Sequence, residues 1–355
     1  MHALIVIVIF IIISEFFFRF LNSKIKNKDF ENIKRIPSIN ISRSYEVNSL
    51  NHDLQNSQKS EILGWDLLKD NETDVKINIP YFQDSYKCKY SLNNLGARSN
   101  LKNFNSKSKF FGTFGCSISY GYALNEEQTF SYLINQELID YNYLNFSVPG
   151  YSLHQALIKY KLKSKDLKFD FIIVGIHPDL EKRNTCSIKW VNIIDNFWKI
   201  PRVYKIGKIF NFLPSGRSKF EIINILKFFI GSIKVIQKST MKHLLLEFKN
   251  ECVKNNTKLY ILCVDNYPSI HNFLIKNKFD WNSANIDLEQ KNSKNEHVWQ
   301  LMPWDNHPNK EANIIYSKKI LELIKFKNNN EENFKPDTSG INEQKNPQEY
   351  IYPLW

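Results

Sequence analysis

Phe111-Gly-Thr-Phe-Gly-Cys-Ser-Ile-Ser-Tyr-Gly-Tyr122 decides how the rest of this chain is read. Lys109 to Phe114 reads as a short buried strand, and Gly-Cys-Ser as a tight turn that leads through a loop to a helix near Glu126. Gly115 removes a side chain where a sharp turn would clash with it. Ser117 then stands at the carboxyl end of a strand, where open α/β sheets hold their sites. Gly-x-Ser by itself is a common strand-to-loop turn, so its weight comes from what surrounds it.

Downstream, strands and helices alternate. Tyr143 to Val148, Phe169 to Ile176 and Lys258 to Val264 read as further strands, the second apolar on both faces as a buried parallel strand should be. A helix is expected from Glu126 to Ile139, with Asn125 and Gln128 spaced as a capping box. Ser152 and Gln155 repeat that spacing after Pro149-Gly150. Met241 to Asn255 reads as an amphipathic helix, His271–Lys276 and Phe279–Asn285 as short elements, and Asn309 as the cap of a last helix through Lys325. This alternation predicts an α/β fold built on a doubly wound parallel sheet. Pro178 to Ser215, with Trp190 and Trp198, reads as an irregular wall or lid. Ile222 to Ile236 reads as a core helix, with a membrane-contacting helix as the alternative.

Upstream, Ala3 to Ile13 is unbroken apolar sequence, followed by Ser14-Glu15 and the run Phe16 to Leu21. No basic start or small-residue cleavage site accompanies it, so residues 1–21 read as a single-pass membrane anchor rather than a cleaved signal. Glu15 and Arg19 are spaced to pair on one helix face. Lys24, Lys26, Lys28, Lys34 and Arg35 follow and favour a cytoplasmic placement by the positive-inside rule. Residues 22–74 are polar and read as a linker or loosely packed lead-in, and 75–326 as the α/β domain. Residues 327–355 read as a disordered tail. Asp74 to Tyr90 suits edge strands, and Tyr90 to Arg98 a surface hairpin turning at Asn93, Asn94 and Gly96.

The formal net charge of the 355 residues is +12, which permits anionic partners without requiring them. No zinc-finger spacing or aromatic-basic RNA-binding signature is present, so nucleic acid is not an expected partner. Cys88, Cys116, Cys186, Cys252 and Cys263 are scattered and odd in number, which argues against a disulfide framework or a zinc site.

Trp304-Asp305-Asn306-His307-Pro308-Asn309 comes just before the last helix. With Ser117 it supplies a hydroxyl, an imidazole to take its proton and a carboxylate to hold the imidazole, the parts of acyl-transfer chemistry. In these blocks the chain resembles the SGNH (GDSL-type) hydrolases, of the membrane-anchored bacterial type, over Tyr90 to Lys325. Gly115-Cys-Ser117 with Tyr120-Gly121-Tyr122 looks like the family's first block, Asn145-Phe-Ser-Val-Pro-Gly-Tyr-Ser152 like the second and Asp305-Asn-His-Pro-Asn309 like the last. Asn94-Leu-Gly-Ala-Arg98 is similar to a segment preceding the domain in anchored members.

The resemblance implies a flavodoxin-like SGNH fold and a serine esterase or O-acyl hydrolase that needs no cofactor or metal. Ser117 would be the nucleophile, His307 the general base and acid, and Asp305 the group orienting it. The backbone N–H groups of Ser117 and Gly150 would face the oxyanion. It also implies an acylated glycan or similar envelope ester as substrate and an extracytoplasmic catalytic domain, against the flanking charges. The chain departs from the family in three places. Cys116 replaces an Asp, its side chain being expected to point away from the site. Trp304 stands where the usual triad Asp would be, with Asp305 one residue closer to His307. The third strand ends Gly175-Ile-His-Pro-Asp179 without the oxyanion Asn, so His177 is the candidate replacement donor. Its alternative, with Asp179 and Arg183, is to satisfy loop backbone. Two other functions stay open: an O-acyltransferase with the same three residues, and a catalytically silent SGNH-fold binding or assembly protein. Cys116 is a minor candidate nucleophile.

Overall fold

A computed structural model describes residues 9–10, 12–17, 19–20, 56–78, 85–99, 109–186, 202–206, 209–213, 226, 229–302, 304–328 and 336. The first described strands form two antiparallel hairpins, β1 (Ser57–Ser60) with β2 (Gly64–Leu67) and β3 (Asn71–Asn78) with β4 (Ser85–Leu92). Five parallel strands follow: β5 (Lys109–Phe114), β6 (Tyr141–Asn145), β7 (Phe171–Ile176), β10 (Lys258–Cys263) and β11 (Asp280–Ser283). Between β7 and β10 a small hairpin pairs β8 (Arg202–Ile206) with β9 (Ile209–Leu213).

The parallel strands lie in the order β6-β5-β7-β10-β11. All six residues of β7 are buried, which its central place and its Phe-Ile-Ile-Val-Gly-Ile sequence require of each other. Around this sheet the described helices are α1 (Ser117–Tyr120), α2 (Phe130–Glu137), α3 (Leu153–Lys163), α4 (Leu180–Asn184), α5 (Lys234–Lys254), α6 (Pro268–Lys276) and α7 (Lys310–Asn328). α2 packs with α7, and α3 with α4 and α5. Right-handed crossovers put these groups on opposite faces of the sheet, because the chain leaves β5 toward β6 and then moves the other way to β7. The expected doubly wound α/β sheet is present, and its topological switch point lies between β5 and β7. There the loops after two neighbouring strands diverge and leave a crevice at their carboxyl ends.

Local signals set several boundaries. Gln128 Oε1 accepts from the Asn125 N–H at 2.9 Å, but that box opens only a 3₁₀ turn, Glu126–Gln128. Thr129 is extended and its hydroxyl accepts from Tyr132 N–H, so α2 starts after it and the helix expected from Glu126 is split. The Ser152–Gln155 box is complete in both directions. Asn309 Oδ1 accepts from Ala312 N–H at 3.0 Å, ahead of α7.

The upstream region differs from its reading. From Asn56 onward the lead-in is packed, not loose, because the alternating Leu63, Trp65 and Leu67 are buried against Val148 and Tyr151. Their periodicity is masked by the polar residues around them. Tyr151 Oη donates to the Trp65 carbonyl at 2.6 Å, Gln155 Nε2 donates to the Leu63 carbonyl at 2.8 Å, and Lys159 on α3 pairs with Asp66. The Tyr90–Arg98 segment is not a surface hairpin either: Tyr90 is 2% exposed and Arg98 1%. In Ile222–Ile236, the described Leu226, Phe229 and Val235 are exposed rather than core, and the helix breaks at Ser232 before α5. Part of the irregular Pro178–Ser215 segment is regular, as α4 and the β8–β9 hairpin, while Trp190 and Trp198 lie outside the described residues.

All five cysteines are buried free thiols. Among the described residues no helix is long and apolar enough to cross a membrane. The anchor expected over 1–21 lies partly outside them. Its described residues are helical, with Phe10, Ile13 and Phe16 exposed and Arg19 Nε donating to Glu15 Oε1 at 2.9 Å. Apart from Asn328 and Pro336, and Lys327 at the end of α7, the tail expected from 327 also lies outside.

Candidate active site

β5 delivers Ser117 to the switch point. Two residues separate Phe114 from α1, and Ser117 is that helix's first residue, 2% exposed. The glycine in the turn is explained by room. A Cβ on Gly115 would come within 2.5 Å of Ser119 Oγ, and a Cβ on Gly175 at the end of β7 within 2.1 Å of the same atom. The two glycines let Ser119 sit between adjacent strand ends, and α1 can start immediately after β5. Helix α1 ends at Gly121, whose φ of 74° is left-handed, and Tyr122 N–H returns to the Ser117 carbonyl at 3.0 Å.

The loop before α7 supplies the imidazole. Gln300 bridges Pro308 in antiparallel fashion, Leu301 N–H donates to the His307 carbonyl at 3.0 Å, and the loop between them is closed. Inside it Asp305 Oδ1 accepts from both the backbone N–H of His307 at 2.6 Å and its ring Nδ1 at 2.5 Å. In the tautomer with Nδ1 as the donor, Nε2 carries the lone pair that a general base needs. Asp305 is 6% exposed. Trp304, where the resemblance would place a triad Asp, packs instead on Tyr86 with ring centroids 5.9 Å apart.

Ser117 and His307, 190 positions apart in sequence, meet the same residue. The Tyr122 ring lies 4.5 Å from the His307 ring, while the Tyr122 N–H is bonded to Ser117. The expected hydroxyl-bearing turn and the expected Asp–His pair are therefore both in contact with one tyrosine.

Gly150 lies in the loop after β6, which is tied to the Ser117 turn by the Val148 N–H bond to the Gly115 carbonyl at 3.2 Å. Gly150 has φ 79°, and a Cβ there would meet the Trp65 ring at 3.1 Å. Trp65 Nε1 donates to the neighbouring Pro149 carbonyl at 3.1 Å, so the upstream hairpin forms part of the wall at this loop.

His177 follows β7 and is 1% exposed. Its Nε2 lies 3.2 Å from Cys116 Sγ, so the cysteine expected to point away from the site touches a candidate member of it. Burial, aided by the Arg183 charge, pushes the His177 imidazole down to about 3. Asp179 opposes that shift and His307 adds to it. His177 is therefore neutral at ordinary pH and carries one N–H. Burial pushes Asp179 up, but the Arg183 charge and hydrogen bond act against it, and the carboxyl lies below its ordinary range. Arg183 Nε donates to Asp179 Oδ2 at 2.7 Å and its Nη1 to the Tyr151 carbonyl at 3.5 Å, so the pair holds itself and one loop carbonyl, part of the alternative role expected for these residues.

Arg98 is the residue whose place sequence reading missed. Its guanidinium donates from one terminal nitrogen to the Tyr120 and Gly121 carbonyls at 2.9 and 2.7 Å. The other terminal nitrogen donates to the Leu124 carbonyl at 2.5 Å. It also sits 4.8 and 4.9 Å from the ring centres of Tyr90 and Tyr120. Desolvating a cation costs several kcal/mol. Charge-assisted bonds of about 1.5–3 kcal/mol each and two aromatic faces offset that cost. No ion pair to Arg98 occurs among the described residues. The likeness of Asn94-Leu-Gly-Ala-Arg98 to a segment of anchored members marked the stretch in advance, but nothing in it placed the guanidinium on the carbonyls after Ser117.

No family model and no curated protein matches the chain. Among solved structures it is similar to one described as TesA, at 11% identity with a TM-score of 0.38, over 61% of this chain and 98% of the other. It is similar to the psychrotrophic esterase EstA from Pseudoalteromonas sp., inhibited by monoethylphosphonate, at 14% identity and TM-score 0.38, over 63% and 100%. A catalytic mutant of Axe2, an acetylxylan esterase from Geobacillus stearothermophilus, matches at 11% identity and TM-score 0.37, over 62% and 95%.

Proposed function

We propose that this protein is a serine esterase or O-acyl hydrolase of the SGNH type. The observation that carries the reading is the Asp305–His307 pair, held at the Tyr122 that also binds the Ser117 carbonyl, beside the sheet's switch point. Ser117 Oγ attacks an ester carbonyl while His307 Nε2 takes its proton. Collapse of the tetrahedral adduct breaks the bond to the alkoxy oxygen, which His307 protonates as it leaves. Water, deprotonated by the same nitrogen, then attacks the acyl-enzyme and restores Ser117. Asp305 stabilises the imidazolium formed in each half. The N–H groups of Ser117 and Gly150, with the neutral ring of His177 as a third donor, face the developing oxyanion.

The substrate we propose is an ester-linked acyl group on a glycan or a similar envelope molecule. The exposed apolar residues of the described 9–20 helix support a single-pass anchor that holds the catalytic domain beside a membrane. Washing membranes with alkaline carbonate tests that part: a chain released by the wash is not anchored.

A fluorophosphonate probe followed by peptide mapping tests the chemistry. Label is expected on Ser117, lost in Ser117→Ala and retained in Cys116→Ala. A wild-type protein that takes no label, or takes it on Cys116, defeats the serine esterase and favours a silent binding protein or a thiol enzyme. The Asp-x-His spacing favours a second reading, acyl transfer to a sugar hydroxyl. Supplying an acyl donor with water alone and with sugar separates the two, since a transferase consumes donor only when the sugar is present.

A further inference from the structure

We propose that Arg98 is a positioning residue for the Ser117–His307 pair, acting through the loop 120–124. This rests on the esterase reading for its meaning, though not for its test.

The loop is held in a shape it would not adopt alone. Gly121 and Ala123 both have left-handed backbones, with φ 74° and 56°. The alanine has a Cβ that disfavours that region. Tyr122 lies between them, and its direction toward His307 depends on both turns. Helix α1 is a single turn, so its last carbonyls have few partners of their own. Arg98 fills that need at the Tyr120 carbonyl and reaches on to those of Gly121, which also accepts from Leu124 N–H at 3.2 Å, and Leu124, so its bonds run along the left-handed pair. Two neighbours complete the frame. Tyr90 Oη accepts from the Ala123 N–H at 2.7 Å, and Asn145 Nδ2 donates to the Ser119 carbonyl at 2.8 Å.

Arg98 is itself fixed to the sheet. Its N–H donates to the Asn145 carbonyl at 2.9 Å, and the Asn145 N–H returns to its carbonyl at 3.3 Å, at the end of β6. The chain from scaffold to imidazole is short: β6, Arg98, the carbonyls of 120–124, the Tyr122 ring, His307. Arg98 spreads these bonds over two terminal nitrogens held in one plane, whereas a lysine of equal charge offers its donors from a single point and cannot reproduce that spread.

The test compares wild type with Arg98→Lys and Tyr90→Phe, the second a milder loosening of the same loop. Histidine-selective isotope labelling, with His307 assigned through His307→Gln, reports the imidazole shifts that the Tyr122 ring current imposes. Initial rates on p-nitrophenyl acetate report kcat and KM separately. In Arg98→Lys the His307 ring signals are expected to move toward those of an exposed histidine. Its kcat should fall by about 100-fold, the scale of a 1 Å misplacement, with KM within about twofold. Tyr90→Phe should move both readouts in the same direction by less. A folded Arg98→Lys whose His307 signals stay at the wild-type positions overturns the proposal, as does a rise in KM with kcat unchanged. The imidazole readout needs no turnover. A wild type inert to esters would therefore sink the esterase reading, while the His307 signals alone would still uphold or overturn the role of Arg98.

Discussion

Asp305 uses one carboxylate oxygen to hold His307 twice, at 2.6 Å from its backbone N–H and at 2.5 Å from its ring Nδ1. The two-residue spacing makes this possible. The backbone bond closes a local turn, and the turn brings the ring over the same oxygen. A carboxylate three residues away would need another loop shape to reach the ring.

Asp305→Asn therefore removes more than a charge. An amide oxygen can still accept from the backbone N–H, but the imidazolium formed during turnover loses its counter-charge. We expect kcat on p-nitrophenyl acetate to fall by about 10³-fold or more, with fluorophosphonate labelling slowed in parallel. A variant within tenfold of wild type would remove Asp305 from the mechanism.

His177 is expected to act on rate and on acid stability. Replacing it with Ala should cost about 100-fold in kcat if its N–H faces the oxyanion, and His177→Asn should recover most of that. Its folded value of about 3 lies below its ordinary 6.5. Between those values the unfolded chain binds the extra proton, so stability is full above about 6.5 and declines as pH falls toward 3, with a slope of about 1.4 kcal/mol per pH unit inside the window. Urea melts of wild type and His177→Asn at pH 7 and pH 4.5 measure this. An equal loss in both proteins would show that His177 is not the group responsible.

Gly150→Ala should be destabilising for two separable reasons. The left-handed backbone alone costs about 1–2 kcal/mol for a residue with a Cβ. The new methyl would also meet the Trp65 ring at 3.1 Å. Combining it with Trp65→Leu should relieve the second penalty only, so the two changes should be non-additive in a denaturation cycle. Strict additivity would mean that Trp65 does not press on this loop.

The Lys159–Asp66 pair fastens the upstream hairpin to α3. Lys159 is 1% exposed at its side chain and Asp66 24%. Burial lowers the Lys159 value below its ordinary 10.5, and Asp66 opposes that shift. Asp66→Asn leaves a buried cation unpaired and should cost about 3 kcal/mol at pH 7. The cost should shrink as pH rises toward 10.5, where the unfolded lysine also loses its proton. Adding Lys159→Met should restore most of the stability. A pH-independent penalty would locate the effect elsewhere.

Some of this was legible from sequence because it is local. The Ser152–Gln155 box, the Asn309 cap and the six apolar residues of β7 each depend on neighbours a few positions away. The alternation of strands and helices specified the sheet type for the same reason. Asp305 and His307 were paired by the resemblance of their block, and the contact that joins them is a local turn of two residues. Thr129 shows the limit even there, since a second cap shortly after the first divided one expected helix into two.

What only tertiary structure decided are contacts between segments far apart in the chain. No local pattern marks Trp65 as the wall beside Gly150, Cys116 as the neighbour of His177, or Arg98 as the brace of the loop after Ser117. Periodicity says which face of an element is apolar, but not which distant element covers it. Strand order, and with it the crevice between β5 and β7, is settled by which faces and edges satisfy one another once the whole chain is compact.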